Sequence, residues 1–225
     1  MRLVSKIKSF IVPHGQQPRT VPVGLYRGLR LEIDLVSQTQ LYLGLWERET
    51  HAFIREASSR CLWAIDVGAG KGELCLFLLR HSHAQRIFAF EPQQSETNMI
   101  AHNLHLNGVS PNDRCVVLSK FVGCLPTPDC ISLDSLDLDR RKRGFLKIDV
   151  DGAEMDVLRS GDGLLTSAPM DIVLETHSQS LEVECLEFLT ARGFRCEVVK
   201  NAWWRALVPE QRPSAHNRWL WATKY

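Results

Sequence analysis

The chain has 225 residues, 44% of them hydrophobic and 24% charged, with a formal net charge of +1. That length supports one large domain with a substantial core. The near-zero charge gives no whole-protein attraction to nucleic acid or an anionic membrane, and no apolar run approaches the ~18 residues that span a bilayer.

The start, MRLVSKIKSFIVPHG, is basic and partly apolar. It lacks a long apolar centre and a small-residue cleavage site, so it reads as a leading arm and not a signal peptide, with a membrane-touching surface helix as the alternative. VPVGLYRGLRLEIDL then reads as a small β-hairpin with Gly24 and Gly28 near its turns. LYLGLWERETHAFIREAS reads as one amphipathic helix. Both belong to an N-terminal extension, residues 1–60, packed on a main domain of residues 61–225.

From Leu62 onward, short apolar runs alternate with longer helical patterns. Strands are expected at Leu62–Val67, Arg86–Glu91, Arg114–Ser119, Gly144–Val150 and Asp171–His177, with two more in FRCEVV and NRWLWATK. Helices are expected at Gly72–Ser82, Gln93–Gly108, GAEMDVLRSGDGLL and SLEVECLEFLTARG, with a short helical piece near LDSLDLD. Alternating strands and helices imply right-handed parallel crossovers and a doubly wound α/β sheet. The seven cysteines are odd in number and none has CxxC spacing. They read as reduced thiols of a cytoplasmic protein, not a disulfide framework or zinc site.

The first strand runs into DVGAGKG. Glycines at every second position let the backbone turn tightly and bring its N–H groups against a ligand. The spacing of Gly68, Gly70 and Gly72 is not the G-x-G-x-x-G that favours a pyrophosphate. Asp66 precedes the turn, where a carboxylate can meet a cationic group. Glu91 ends the second strand, where a carboxylate can accept from both ribose hydroxyls. A cationic amino-acid group and a free ribose fit S-adenosylmethionine better than a dinucleotide, whose phosphates would lie near Asp66. A nicotinamide dehydrogenase remains an alternative on these residues alone.

GFLKIDVDGAEMDVLRSG, together with AIDVGAGKGE, IFAFEPQQSETNMIAHNLHLNG, ISLDSL and DIVLETH, resembles the FkbM-type family of S-adenosylmethionine-dependent methyltransferases, over about Leu62–Gly193. Two departures stand out: Asp151 where that family usually has Glu, and a short segment between Ser119 and Ile131. The resemblance implies a Rossmann-like seven-stranded methyltransferase sheet, mostly parallel with a C-terminal antiparallel hairpin. It implies methyl transfer, most often to a hydroxyl of a sugar, polyketide or other natural product. By position, Asp66, Gly68, Ala69 and Gly70 would hold the methionine part of the cofactor and Glu91 the ribose, with Asp149 close to the methyl centre.

A hydroxyl acceptor must lose a proton, which calls for a base or a metal. Lys147, Asp149, Asp151 and Glu154 cluster after the fourth strand, and Glu175 and His177 end the fifth. His177 is the expected general base, since an unperturbed imidazole pKa of ~6.5 suits proton removal near neutral pH. Asp149 would position the acceptor or share that role, and Glu175 would orient it. Asp151 reads first as an N-cap of the next helix, and Glu154 equally as a dipole or capping-box partner. Asp149, Asp151, Glu175 and His177 also have hard-ligand chemistry, but nothing in their spacing demands a metal, and none is expected.

The long connection Asn201–Trp219 carries aromatic faces and hydrogen-bonding edges that suit a carbohydrate or other hydroxylated acceptor. Trp203, Trp204, Arg205 and Asn217 are its expected substrate contacts, with loop anchoring as the plain alternative. Trp46 and Glu47 are placed to close the cofactor pocket from the other side. The leading expectation is O-methylation of a small-molecule or glycan acceptor, with N-methylation or a cofactor-binding scaffold without turnover as alternatives. Neither nucleic-acid partners nor stable membrane insertion is expected.

Overall fold

The computed structural model describes residues 15–109, 114–202, 205 and 216–225. An antiparallel hairpin comes first, β1 (Gln16–Thr20) with β2 (Arg30–Asp34), Gln16 opposite Asp34. Its first strand lies upstream of the VPVGLY run, because Val21–Leu29 is spent on the connection, closed by Val21 N–H to Leu29 O at 2.9 Å and Gly28 N–H to Val21 O at 2.8 Å. The single helix expected over residues 41–58 is broken. A short α1 (Thr39–Tyr42), a 3-10 turn (Arg48–Thr50) and α2 (His51–Arg60) take its place. The break falls where Gly44 (φ 65°) and Glu47 (φ 47°) adopt left-handed backbone.

The alternating section follows as β3 (Trp63–Val67), α3 (Glu73–His81), β4 (Arg86–Phe90), α4 (Gln94–Leu106) and β5 (Cys115–Leu118). Then come two-residue strands β6 (Phe121–Val122) and β7 (Cys130–Ile131), paired parallel, and a 3-10 turn at Leu133–Ser135. Next are β8 (Gly144–Ile148), α5 (Glu154–Ser160), α6 (Asp162–Ser167), β9 (Met170–Thr176), α7 (Gln179–Thr190), β10 (Arg195–Val199) and β11 (Arg218–Lys224). The helix expected over GAEMDVLRSGDGLL divides at Gly161 into α5 and α6. Ser178 caps α7 by accepting the Leu181 N–H at 3.1 Å, which satisfies one of the donors every helix start leaves open.

Seven strands form one sheet in the order β10-β11-β9-β8-β3-β4-β5. β11 pairs antiparallel with both neighbours, and the other pairings are parallel. The expected sheet and its antiparallel C-terminal strands are therefore present. Both faces are covered, which is why the strands are nearly continuous apolar runs. Alternation along β3 sends Ala64 to a core shared with Val21, Leu31, Ile33, Ile54 and Leu76. Trp63, Ile65 and Val67 go to the opposite core with Leu158, Leu164 and Leu189. The N-terminal hairpin and α2 thus share a core with the sheet.

At the lower end of the sheet, the fully buried Asp171 accepts paired hydrogen bonds from both Arg60 and Arg143, at 2.7–3.0 Å. At the upper end the strand order reverses between β3 and β8, where open α/β sheets bind ligands. Among the described residues, no helix is long and apolar enough to cross a membrane.

Candidate functional site

The turn after β3 is tied to both neighbouring strands. Gly68 and Ala69 each donate an N–H to the Phe90 carbonyl, at 2.9 and 3.0 Å, and the Asp149 N–H donates to Val67 O at 2.9 Å. Gly68 has φ 81°, and a β-carbon built there would sit 1.9 Å from the Asp149 carbonyl oxygen. Any side chain would push the turn off the tip of β8. Gly70 has φ 52° and nothing within 4 Å of its built β-carbon, so its backbone borders open space. Glu91, 8% exposed, grips this turn from the tip of β4. Its Oε2 accepts the Gly70 N–H and its Oε1 the Gln93 N–H, both at 3.2 Å. One such bond per oxygen leaves acceptor capacity on each, as two adjacent hydroxyls require.

A buried polar chamber lies beside the turn. Asp66 is 1% exposed. Its Oδ2 meets the Cys75 thiol at 3.6 Å, while Oδ1 has no hydrogen-bond partner among the described residues. Burial pushes its carboxyl up to about 7. Glu73 Oε2 and Trp219 Nε1 are likewise buried without a partner there, and burial also raises the Glu73 carboxyl. Lys147 Nζ donates to Asp149 Oδ2 at 3.1 Å, lies 3.9 Å from Glu47 Oε2 and stands 5.4 Å from the Trp219 ring centroid. Burial opposes its charge, but Asp149, Glu47 and Asp66 raise its pKa well above the ordinary lysine value. Burial opposes the Asp149 charge too, but Lys147 and a hydrogen bond with Glu175 bring it down to about 2. Unsatisfied acceptors on Asp66 and Glu73 stand beside a cation and an unsatisfied indole donor. An amino-acid head group, ammonium and carboxylate together, would satisfy both sets.

At the far side of the site, β8 and β9 bring Asp149, Glu175 and His177 together, with donor atoms within 4.8 Å of one another. This donor set is within reach of a divalent cation, but Asp149 is already matched by the Lys147 ammonium. His177 is fixed by a residue from another element. Its Nδ1 lies 2.6 Å from Oε1 of Glu154, the first residue of α5, which also accepts the His177 N–H at 3.2 Å. Its Nε2 lies 3.2 Å from Asp151 Oδ1, on a side chain 80% exposed. The Glu154 hydrogen bond raises the His177 pKa above its usual value against the effect of burial, with Asp149 and Asp151 adding to the rise.

Several expectations look different in this geometry. Asp151 does not cap α5, whose N-cap is Ala153 with no side-chain cap bond; its carboxylate lies 3.2 Å from His177 Nε2 instead. Glu154 holds the imidazole at Nδ1. The signal for it was present: an acidic residue opens the helix after the fourth strand, beside a strand tip bearing histidine. Arg205 makes a two-pronged contact with Glu49, at 2.7 and 2.6 Å, and donates to Leu45 O at 3.1 Å, so its guanidinium clasps the N-terminal segment. Asn217 Oδ1 is buried without a partner among the described residues. Trp203 and Trp204 lie outside the described residues. Glu47 and Tyr26 reach the chamber from the N-terminal segment, both acting electrostatically with Lys147.

Residues 117–196 match the family model described as the methyltransferase FkbM domain. The fold is shared with a methyltransferase FkbM from Methylobacillus flagellatus KT, at a TM-score of 0.58 and 15% identity over 85% of this chain and 56% of that one. It is also shared with a SAM-dependent O-methyltransferase from Thermotoga maritima, at a TM-score of 0.53 and 18% identity over 87% and 72%. A Streptococcus mutans protein solved in complex with SAH has the same fold, at a TM-score of 0.54 and 10% identity over 78% and 96%. No curated protein sequence matches the chain.

Proposed function

From a chain whose residues 117–196 match the FkbM methyltransferase domain on a Rossmann-like methyltransferase sheet, we propose an S-adenosylmethionine-dependent methyltransferase that modifies a hydroxyl of a sugar, glycan or glycosylated small molecule. Bound cofactor supplies a methyl group on a positively charged sulfur. The residues fit its parts: Glu91 has an open acceptor on each oxygen for the ribose diol, Gly70 gives the backbone room, and the chamber of Asp66, Glu73 and Lys147 suits the amino-acid head.

The observation that carries the acceptor reading is the placement of His177. It stands at the tip of β9 beside Asp149 and Glu175, its Nδ1 held 2.6 Å from the buried Glu154. A base oriented by a second group is the arrangement proton removal from a hydroxyl requires. His177 Nε2 would take the proton of the acceptor hydroxyl whose oxygen receives the methyl group that the bound cofactor would supply, leaving the neutral thioether. Asp149 and Glu175 line the approach and accept from neighbouring hydroxyls. Acidic groups around the mouth favour a neutral polyhydroxylated acceptor over an anionic one.

The test begins with thermal shift against S-adenosylhomocysteine and NAD. Stabilisation by the former is expected, and stabilisation by NAD alone overturns the assignment. Mass spectrometry of hydroxylated glycans and glycosides after incubation with S-adenosylmethionine then reads the acceptor, with a gain of one methyl on oxygen expected.

A further inference from the structure

The Glu154–His177 contact supports a role for Glu154 that neither its sequence position nor the family match assigns. Its side chain is fully buried at the base of α5, under the tip of β9. Its Oε1 receives both the backbone N–H and the ring Nδ1 of the same histidine, at 3.2 and 2.6 Å. The backbone contact seats the carboxylate against the His177 main chain, and the ring contact orients the imidazole. The other ring nitrogen, Nε2, lies 3.2 Å from Asp151 Oδ1, on a side chain 80% exposed, so an acceptor hydroxyl reaches Nε2 by displacing that surface carboxylate.

We propose that Glu154 is the positioning residue for the base: its buried carboxylate accepts the Nδ1–H, which leaves Nε2 as the lone-pair nitrogen once an acceptor hydroxyl takes the place of the exposed Asp151 carboxylate beside it. The inference rests on the methyl-transfer reading above. A neutral histidine in water prefers the proton on Nε2, the tautomer that would leave no base at the mouth, so the carboxylate has a chemical task as well as a packing one. Asp149 at the end of β8, Asp151 in the loop after it and Glu175 on β9 itself are the other charged groups around the ring. Glu154 Oε1 lies 2.6 Å from Nδ1.

The experiment uses the full chain labelled with nitrogen-15 histidine, the His177 signals being identified by their loss in His177→Asn. Ring nitrogen shifts at a pH where His177 is neutral report the tautomer directly. The expected result is a protonated Nδ1 and a bare Nε2; a protonated Nε2 overturns the proposal. Because that measurement uses the unaltered protein, it decides the matter even where a variant does not fold. Glu154→Gln, close in shape, should lower the His177 titration midpoint by about one pH unit and leave S-adenosylhomocysteine affinity within about twofold by calorimetry. An unmoved midpoint counts against the proposal. Absence of S-adenosylhomocysteine binding by the unaltered protein overturns the methyl-transfer reading and this inference with it, whereas the wrong tautomer with intact binding overturns the inference alone.

Discussion

Gly68 lies so close to Asp149 that a β-carbon on the first would sit 1.9 Å from the carbonyl oxygen of the second. The glycine turn and the tip of β8 are thus one packed unit, and the two conspicuous glycines of the turn answer to different demands. Gly68→Ala meets backbone on one side and a left-handed φ of 81° on the other. Left-handed backbone costs about 1–2 kcal/mol and overpacking about 1–3 kcal/mol more. Gly70→Ala meets only the conformational term, since its built β-carbon has open space around it. The expected outcome is a large drop in melting temperature for Gly68→Ala and a small one for Gly70→Ala, with both weakening S-adenosylhomocysteine binding. Equal melting temperatures for the two variants would contradict the packing account.

Asp66 predicts a pH dependence in cofactor binding. Its folded carboxyl stands near 7 against an ordinary value of 3.8, because burial disfavours the charge. A raised folded pKa means the free protein loses stability as pH climbs from 3.8 toward 7, since the unfolded chain ionises this group and the folded chain resists. A ligand ammonium at Oδ1 favours the ionised form, so binding below that midpoint releases a proton. Calorimetry with S-adenosylhomocysteine should show affinity tightening from pH 5.5 to 7 and levelling by pH 8. Asp66→Asn should flatten that profile as well as weaken binding.

Much of this was legible in the chain because local signals and the fold agreed. The apolar runs ending in Asp66, Glu91 and Asp149 gave strands buried on both faces, and strand alternation with helices gave the sheet. The carboxyl ends of those strands bring Asp66, Glu91 and Asp149 to the same edge of the sheet. The failures came where distant packing overrode local pattern. The helical periodicity of residues 41–58 gave no sign of a left-handed Glu47, which brings its carboxylate within 3.9 Å of Lys147 on a strand a hundred residues away. Glu154 looked like an ordinary first-turn acid because its partner, His177, becomes a neighbour only once β8 and β9 pair. The Arg205–Glu49 contact was hidden because Glu49 comes from the opposite end of the chain.

The Arg205–Glu49 pair separates anchoring from substrate recognition. The two side chains are 11% and 9% exposed, and burial alone would raise the Glu49 carboxyl, yet Arg205 holds it below its usual value. Breaking a buried pair by removing one partner costs about 3–5 kcal/mol. Arg205→Ala should therefore lower the melting temperature by about 6–20 °C for a chain of this size, with acceptor KM little changed at temperatures where the variant is folded. A raised KM with an unchanged melting temperature would return Arg205 to the acceptor.

The cluster of Asp149, Glu175 and His177 yields the last prediction, which concerns charge balance. Two carboxylates in contact need a proton or a cation to offset their repulsion. Lys147 supplies a cation 3.1 Å from Asp149 without leaving the protein, and a hydrogen bond links Asp149 to Glu175. Methyl transfer should accordingly persist after exhaustive EDTA treatment, and added magnesium should change it less than twofold. Lys147→Met removes the built-in cation while keeping an apolar stem of similar length. It should raise the Asp149 pKa, weaken S-adenosylhomocysteine and slow turnover, and magnesium should then restore part of the loss. An unaltered protein that goes silent in EDTA and recovers on magnesium alone would show that a metal ion, and not Lys147, balances these carboxylates.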